Sequence, residues 1–136
     1  QRERFDVALD RWLRSAVRAE LLAWPCVRAE VPFFSLGCED EGIARYGAYA
    51  EGAIDALATD PADPTRALVI DYKTGGTPDE TPDQLLEKHA LQARVYADVL
   101  HKAGFETVTV KFVRVEQTAP AVFVELAEPQ VVTYKL

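Results

Sequence analysis

A strong turn signal near the middle of the chain most constrains its fold. Residues Asp60 to Pro64 read DPADP, and prolines and aspartates clustered in this way favour tight turns. The flanking segments, Tyr49 to Ala58 and Arg66 to Lys73, have the apolar character of strands. We therefore predict a β-hairpin that brings Asp55 on its first strand close to Asp71 on its second.

Helical spacing of apolar residues occurs on both sides of this hairpin. Phe5 to Trp24 is predicted to be a first helix that ends before Pro25, with its arginines facing outward. A second helix is predicted from an N-cap at Asp83 to about Lys102, and Gly104 is the expected stop signal.

The remaining segments complete a sheet. Val27 to Leu36 is predicted to be extended, and Pro32 favours an edge position because proline cannot donate a ladder hydrogen bond. Further strands are predicted at Phe105 to Val115, Ala121 to Leu126 and Val131 to Leu136, and loops at Gly37 to Gly47 and Thr74 to Pro82. This order predicts an α/β fold in which a central mixed β-sheet is flanked by helices.

Length and composition fit one folded unit. The chain has 136 residues, of which 49% are hydrophobic, so we expect residues 1 to 136 to form a single domain. It begins with Gln1 close to a predicted helix, so we expect a fragment of a longer protein. No apolar run approaches the roughly 18 residues needed to cross a bilayer, and no signal peptide is present. We therefore expect a cytoplasmic protein without a membrane partner.

Cysteine and histidine usage suggests neither a disulfide framework nor a zinc site. Cys26 and Cys38 form no CxxC pair, which fits a reducing compartment. His89 and His101 form no recognisable ligand pair, and we interpret them as surface or capping residues.

The charge distribution leaves two interpretations of the N-terminal region open. A net charge of -7 argues against general binding of polyanions, because such affinity comes from lysines and arginines that neutralise phosphates. The first 28 residues are nevertheless rich in arginine, at positions Arg2, Arg4, Arg11, Arg14, Arg18 and Arg28. They either form a local basic face or only solvate an amphipathic helix.

The end of the second hairpin strand carries an acid and a base. Side chains alternate along a strand, so Asp71 and Lys73 point to the same face. A short acid-x-lysine motif also arises by chance, and a surface ion pair is the alternative interpretation.

Context favours a metal site. If the hairpin brings Asp55 close to Asp71, a divalent cation between them would offset their repulsion. Mg²⁺ prefers oxygen ligands and keeps several waters, and the carbonyl of Tyr72 could serve as a third protein ligand. A metal beside Lys73 suits phosphodiester hydrolysis. Gly52 and Gly75-Gly76 would let a nucleic-acid backbone approach closely, although Gly75-Gly76 could equally be simple turn glycines.

The second predicted helix adds a polar pair. Gln92 and Tyr96 lie four residues apart and therefore share a face. They could brace Lys73 or contact a phosphate, whereas Tyr96 alone would be interpreted as a core aromatic with an exposed hydroxyl.

Three motifs in this order resemble the RecB family of nucleases within the PD-(D/E)xK superfamily. They are GAIDALA (Gly52 to Ala58), LVIDYKTGG (Leu68 to Gly76) and LQARVYADVL (Leu91 to Leu100), and the similarity spans about residues 27 to 115. Three ordered motifs are far more specific than one. The resemblance implies a three-layer, restriction-endonuclease-like core that cuts DNA with Mg²⁺ or Mn²⁺.

The resemblance also implies roles for individual residues. Asp55 and Asp71 would be metal ligands and Lys73 the catalytic lysine, while Gln92 and Tyr96 match the helical Gln-x-x-x-Tyr motif of the family. The segment AEVPF resembles an acidic element that many members carry ahead of the Gly-x-x-Asp strand, and it makes Glu30 a further candidate ligand.

Two features depart from the family pattern. Many relatives carry a metal-binding histidine on the preceding helix, and residues 1 to 88 contain none. Iron-sulfur relatives need four cysteines, and this chain has two, so we expect no cluster.

The resemblance suggests a larger context. Such modules often form the C-terminal end of a bacterial helicase-nuclease that processes double-strand breaks, which implies exonuclease activity in repair and recombination. The chain has no GxxxxGK[ST] phosphate loop, so a helicase motor would lie upstream or in a partner subunit. A motor that feeds DNA would explain how an acidic domain obtains its substrate.

Two other functions compete with the nuclease. One is an inactive nuclease-like module that binds DNA or a helicase, and the other is a structural domain whose acids form surface pairs. Under the nuclease hypothesis, alanine at Asp55, Asp71 or Lys73 abolishes cutting with the fold intact. Removing an acid is also expected to raise thermal stability without metal, since repulsion is relieved.

Overall fold

The fold is built on one mixed β-sheet. The computed structural model describes residues 9–10, 12–36, 49–73, 82–114 and 130–136. Within these ranges the strands are β1 (Cys26–Leu36), β2 (Tyr49–Thr59), β3 (Arg66–Lys73), β4 (Thr107–Arg114) and β5 (Gln130–Lys135). The helices are α1 (Ala16–Leu22) and α2 (Pro82–Lys102). No helix in these ranges has the length and apolar character required to cross a membrane.

The strands lie in the sheet in the order in which they occur along the chain. β1 pairs with β2, β2 with β3 and β4 with β5 in antiparallel fashion, whereas β3 and β4 are parallel and are connected through α2. In this part of the chain β1 is an edge strand, as Pro32 predicts. The hairpin between β2 and β3 is confirmed, and its pairs run from Thr59–Ala67 to Ala56–Ile70.

Alternation along β3 separates two apolar layers. Val69 belongs to a buried cluster with residues of α2, whereas Leu68 and Ile70 belong to a second cluster with residues of α1. The first cluster also includes Ala93, Tyr96, Ala97, Leu100, Val108, Val110 and Phe112, and the second includes Val17 and Leu21. The two helices therefore cover opposite faces of the sheet, which confirms the predicted three-layer α/β fold.

The turn between β2 and β3 is held by its aspartates. Asp60 Oδ1 accepts a hydrogen bond from the Ala62 N–H at 2.9 Å, and Asp63 accepts from Thr65 Oγ1 and Arg66 Nε, both at 2.8 Å. Side chains that satisfy nearby donors in this way explain why aspartate marks the turn.

The end of α2 matches its prediction. The Gly104 N–H donates to the His101 carbonyl, and the Phe105 N–H donates to the Leu100 carbonyl, both at 3.0 Å. This is a Schellman motif, which requires the positive φ of 110° that Gly104 adopts. The start of α2 lies at Pro82, one residue before the predicted cap at Asp83, and proline is favoured at a first helical position.

The single first helix predicted from Phe5 to Trp24 is wrong. Residues 9–10 and 12–13 are helical, the chain leaves the helix at Ser15, and it becomes helical again in α1. Ser15 is an N-cap whose hydroxyl donates to the Trp12 carbonyl at 2.7 Å and accepts from the Arg18 N–H at 3.2 Å. Serine satisfies free helix donors better than it continues a helix, which explains the break. The predicted strand Ala121 to Leu126, the start of the first helix and both predicted loops up to residue 81 lie outside the described residues.

Candidate active site

Asp55 is held where the pairing between β2 and β3 stops. The last pair of this ladder is Ala56–Ile70. One residue further, Asp55 Oδ2 accepts a hydrogen bond from the Tyr72 N–H at 2.8 Å. A carboxylate thus takes the place of a backbone acceptor, and it lies beside the peptide that follows Asp71.

The neighbouring strands β1 and β2 are both irregular at the level of Asp55. Residues two apart on a strand normally share a face, yet Ile54 packs on the α2 side and Ala56 on the α1 side. On β1, Glu30 has a φ of 52°, which is uncommon for a residue with a side chain. The pairs on either side of Glu30 are Ala29–Ala56 and Val31–Ile54, so Glu30 lies opposite Asp55. Its role as a metal ligand stays a prediction.

Asp71 is the centre of a buried polar network. The residue is only 3% exposed, and its Oδ1 atom lies 3.1 Å from Lys73 Nζ. Its Oδ2 atom accepts hydrogen bonds from the Tyr96 hydroxyl at 2.5 Å and from Gln92 Nε2 at 3.2 Å. We call these four residues the Asp71 network.

Gln92 links the other members of the Asp71 network. Its Oε1 atom accepts from Lys73 Nζ at 2.8 Å, and its Nε2 atom donates to the Tyr96 hydroxyl at 2.9 Å. The amide therefore offers oxygen to the ammonium group and nitrogen to the phenol. Gln92 and Tyr96 share a face of α2, as predicted, and this face contacts Asp71 and Lys73.

This burial excludes the surface ion pair between Asp71 and Lys73. The side chain of Asp71 is 5% exposed and that of Lys73 is 29% exposed. Exposed pairs contribute little to stability, whereas a buried carboxylate requires donors and a countercharge, and Asp71 has both. Tyr96 is a core aromatic, as predicted, with 2% of the residue exposed, but its hydroxyl is not exposed as we expected and bonds to Asp71.

The environment keeps Tyr96 protonated. Burial is the largest cause that raises the pKa of Tyr96, and the hydrogen bond to Asp71 and the charges of Asp71 and Asp55 raise it further. Donation from Gln92 acts in the opposite direction. The Tyr96 hydroxyl is therefore a hydrogen-bond donor to Asp71 at neutral pH. The negative charges of Asp71 and Asp55 both disfavour its ionisation.

Gly52 does not provide space for a nucleic-acid backbone in the way that we expected. A Cβ atom at Gly52 would lie 3.0 Å from two atoms of the Phe33 ring, which occupies this space from the paired position on β1. The same ring makes an edge contact with Tyr96, with centroids 5.7 Å apart. Gly52 thus gives Phe33 room to support the Asp71 network. Gly75 and Gly76 lie outside the described residues.

Replacing Gly52 with alanine is expected to destabilise the domain by about 1 to 3 kcal/mol, because the new methyl group overpacks against Phe33. Urea denaturation would measure this loss. In a double-mutant cycle, adding Phe33→Leu should recover part of it, since the smaller side chain makes room. Equal losses from Gly52→Ala in both backgrounds would show that the ring is not the obstacle.

Sequence reasoning missed several residues around the network. Phe112 on β4 lies opposite Asp71, and the buried Arg114 lies opposite Lys73. His89 is half-buried and stacks on Phe112, so its interpretation as a surface or capping residue is wrong. The same interpretation is confirmed for His101, whose Nδ1 atom lies 2.9 Å from the Phe105 carbonyl oxygen. The sequence did contain a signal for this position, because His89 lies one helical turn before Gln92 and therefore shares its face.

Two of the described N-terminal arginines, Arg14 and Arg18, bond to nearby groups. Arg14 is 72% exposed and pairs with Asp10 at 3.1 Å. Arg18 Nη1 lies 3.5 Å from the Leu13 carbonyl oxygen in an exposed position. These contacts favour arginines that solvate the helices over a dedicated basic face.

The donor chemistry of the site fits a hard divalent cation. No group of three or more histidine, cysteine or acidic side chains converges in the part of the chain that the structure describes. Asp55 and Asp71 nevertheless lie on adjacent strands, and the Tyr72 N–H, which follows Asp71 in the chain, donates to Asp55. Mg²⁺ keeps several waters and is commonly bound by one or two carboxylates, so this oxygen set suits it.

Comparison with protein families agrees with this geometry. Residues 1–135 match the family model of the PD-(D/E)XK nuclease superfamily. Members of this superfamily are typically nucleases that act on DNA and generally use divalent metals. Comparison with curated proteins finds no significant match. Because the match covers nearly the whole chain and the fold agrees with it, this chain belongs to the PD-(D/E)XK nuclease superfamily.

Proposed function

We propose that this domain is a DNA nuclease that hydrolyses phosphodiester bonds with the help of a divalent metal. The Asp71 network carries the proposal. It links a buried carboxylate, a lysine and two helical side chains through contacts of 2.5 to 3.2 Å, and a second carboxylate, Asp55, accepts from the Tyr72 N–H beside them. A purely structural domain has no need for a buried ionic group, because apolar residues of similar volume are often as stabilising.

Asp55, Asp71 and the Tyr72 carbonyl would hold the metal, with Mg²⁺ or Mn²⁺ as the ion and Glu30 as a further candidate ligand. When bound, the metal would polarise a phosphoryl oxygen and lower the pKa of a bound water. The Tyr72 N–H fixes the orientation of Asp55, and Tyr96 and Gln92 fix that of Asp71. The ligands are thus oriented before the metal binds, which reduces the cost of assembling the site.

Lys73 would act on the reacting groups. Its ammonium group is fixed by Asp71 and Gln92, and the Lys73 side chain is partly exposed. In this position it can orient the attacking water or stabilise negative charge that develops on the phosphate. Gln92 and Tyr96 act through Lys73 and Asp71.

The order of the three motifs further supports a RecB-type nuclease. We propose that residues 1 to 136 form one nuclease domain of a longer chain, with an exonuclease role in double-strand break repair and recombination in the cytoplasm. A helicase motor in the same chain or in a partner subunit would deliver DNA to it, which would compensate for the net charge of -7.

The test combines metal binding with cleavage. Wild type, Asp55→Asn and the control Glu106→Gln would be melted with and without millimolar Mn²⁺ and then incubated with single-stranded DNA. Glu106 is an exposed acid that precedes β4, at the opposite end of this strand from Arg114. We expect Mn²⁺ to raise the melting temperature of wild type and of the control, and we expect both proteins to cut DNA. Asp55→Asn should show neither Mn²⁺ stabilisation nor cleavage.

Two outcomes would contradict the proposal. Absence of both Mn²⁺ stabilisation and cutting in the wild type would favour an inactive nuclease-like module. Equal stabilisation of Asp55→Asn and wild type would place the metal elsewhere.

A further inference from the structure

The ring of Phe112 lies at the centre of the aromatic contacts beneath the site. Phe112 is 2% exposed and makes an edge contact with Tyr134 at 5.7 Å between centroids. The Tyr96 ring lies 6.4 Å away, inclined by 28°. His89 stacks on Phe112 with centroids 4.8 Å apart and planes inclined by 19°. Among these neighbours, His89 makes the closest and most nearly parallel contact.

The same ring lies next to the ammonium group of Lys73. Lys73 Nζ is 5.5 Å from the centroid of Phe112, which is within the distance of about 6 Å at which a cation is attracted to an aromatic face. Its polar contacts are with Asp71 and Gln92. A lysine side chain is long and flexible, so its charged end needs contacts that fix its position. The Phe112 ring provides one of these contacts for Lys73.

His89 reaches this ring from the helix that also carries Gln92 and Tyr96. The spacing of three and four residues places all three on one face of α2. His89 lies one turn nearer the start of the helix than Gln92 and is half-buried. A flat side chain at this position can cover the Phe112 ring, whereas a branched aliphatic one cannot lie parallel to it.

We propose that His89 is a positioning residue for Lys73. Its imidazole, stacked on Phe112, fixes the ring that lies beside the Lys73 ammonium group. The catalytic consequence rests on the proposed nuclease function, whereas the effect on the geometry of Lys73 does not. The property of His89 on which the proposal rests is the flat ring that stacks on Phe112.

The test compares flat and non-flat side chains at this position. His89→Phe keeps a ring, and His89→Leu removes it. The matched control is His101→Leu, which changes an exposed histidine on the same helix. The first measurement is the NMR signal of the Lys73 side-chain ammonium group in metal-free protein, identified by its loss in Lys73→Met. The second is kcat and KM for cleavage of single-stranded DNA with Mn²⁺.

We expect His89→Leu to shift the Lys73 signal and to lower kcat by about tenfold with KM nearly unchanged, because small displacements of catalytic groups are costly. His89→Phe and His101→Leu should resemble wild type in both measurements. Melting curves would establish that each variant is folded. If His89→Leu fails to fold, His89→Met takes its place, since methionine fills similar volume without a ring.

Two results would overturn the proposal. One is an unchanged Lys73 signal in the ring-free variants. The other is a loss in His89→Phe as large as in His89→Leu, which would assign the effect to the imidazole nitrogens. If wild type cuts no DNA, the nuclease function fails, and the Lys73 signal alone still decides whether His89 positions this side chain.

Discussion

Replacing Asp71 with asparagine is expected to lower the rate of DNA cleavage by about 1,000-fold, equivalent to about 4 kcal/mol of transition-state stabilisation. The variant removes the negative charge that would hold a metal beside Asp55, and it also removes the anionic partner of Lys73. Stabilisation by millimolar Mn²⁺ should disappear at the same time. Single-turnover cleavage and melting with and without Mn²⁺ would measure both effects.

The metal-free melting temperature of this variant is expected to fall. The sequence alone suggested a rise, on the assumption that Asp71 and Asp55 mainly repel each other. Asp71 instead receives hydrogen bonds from Tyr96 and Gln92 and faces Lys73, so its charge is compensated. The control is Glu106→Gln, which changes an exposed acid. Cleavage by Asp71→Asn within about threefold of wild type would remove Asp71 from the catalytic site, because a lost ligand costs far more.

Replacing Lys73 with methionine is expected to lower cleavage by about 100-fold to 1,000-fold, as the loss of one preorganised charge does in other active sites. Methionine keeps an unbranched chain beside Phe112 but cannot orient water or stabilise negative charge. Metal binding should survive, because Asp55 and Asp71 remain. We expect the shift in melting temperature with Mn²⁺ to equal or exceed that of wild type, since a neighbouring cation has been removed.

This pattern separates Lys73 from the metal ligands. Asp71→Asn should lose both cleavage and Mn²⁺ stabilisation, whereas Lys73→Met should lose only cleavage. Isothermal titration with Mn²⁺ would provide an independent measure of affinity. Loss of Mn²⁺ affinity in Lys73→Met would show that the lysine supports the metal site itself and not the reacting groups.

The elements that carry the site could be predicted because short-range signals specify them. The aspartates and prolines from Asp60 to Pro64 define the turn, and the hairpin then brings Asp55 near Asp71. Strand alternation places Asp71 and Lys73 on one face, and helical spacing does the same for Gln92 and Tyr96. These periodic rules need no knowledge of distant contacts.

The contacts that support the site could not be predicted in this way. The space at Gly52 is filled by Phe33 from another strand, and the partner of His89 is Phe112, which comes from β4. Such contacts depend on how elements pack, and a sequence pattern within one element does not contain this information. The break at Ser15 was missed for a different reason, since apolar spacing continues across it while the cap interrupts the helix.

The ion pair between Asp71 and Lys73 has a consequence for how the protein matures. In many small metalloproteins the ligands repel one another until a cation arrives, so folding waits for the metal. Here the ammonium group of Lys73 supplies the positive charge from within the chain, and Tyr96 and Gln92 complete the solvation of the carboxylate. The domain can therefore reach its native packing without a metal ion. Under the proposed function, the supply of divalent ions would govern activity without governing how much folded protein accumulates.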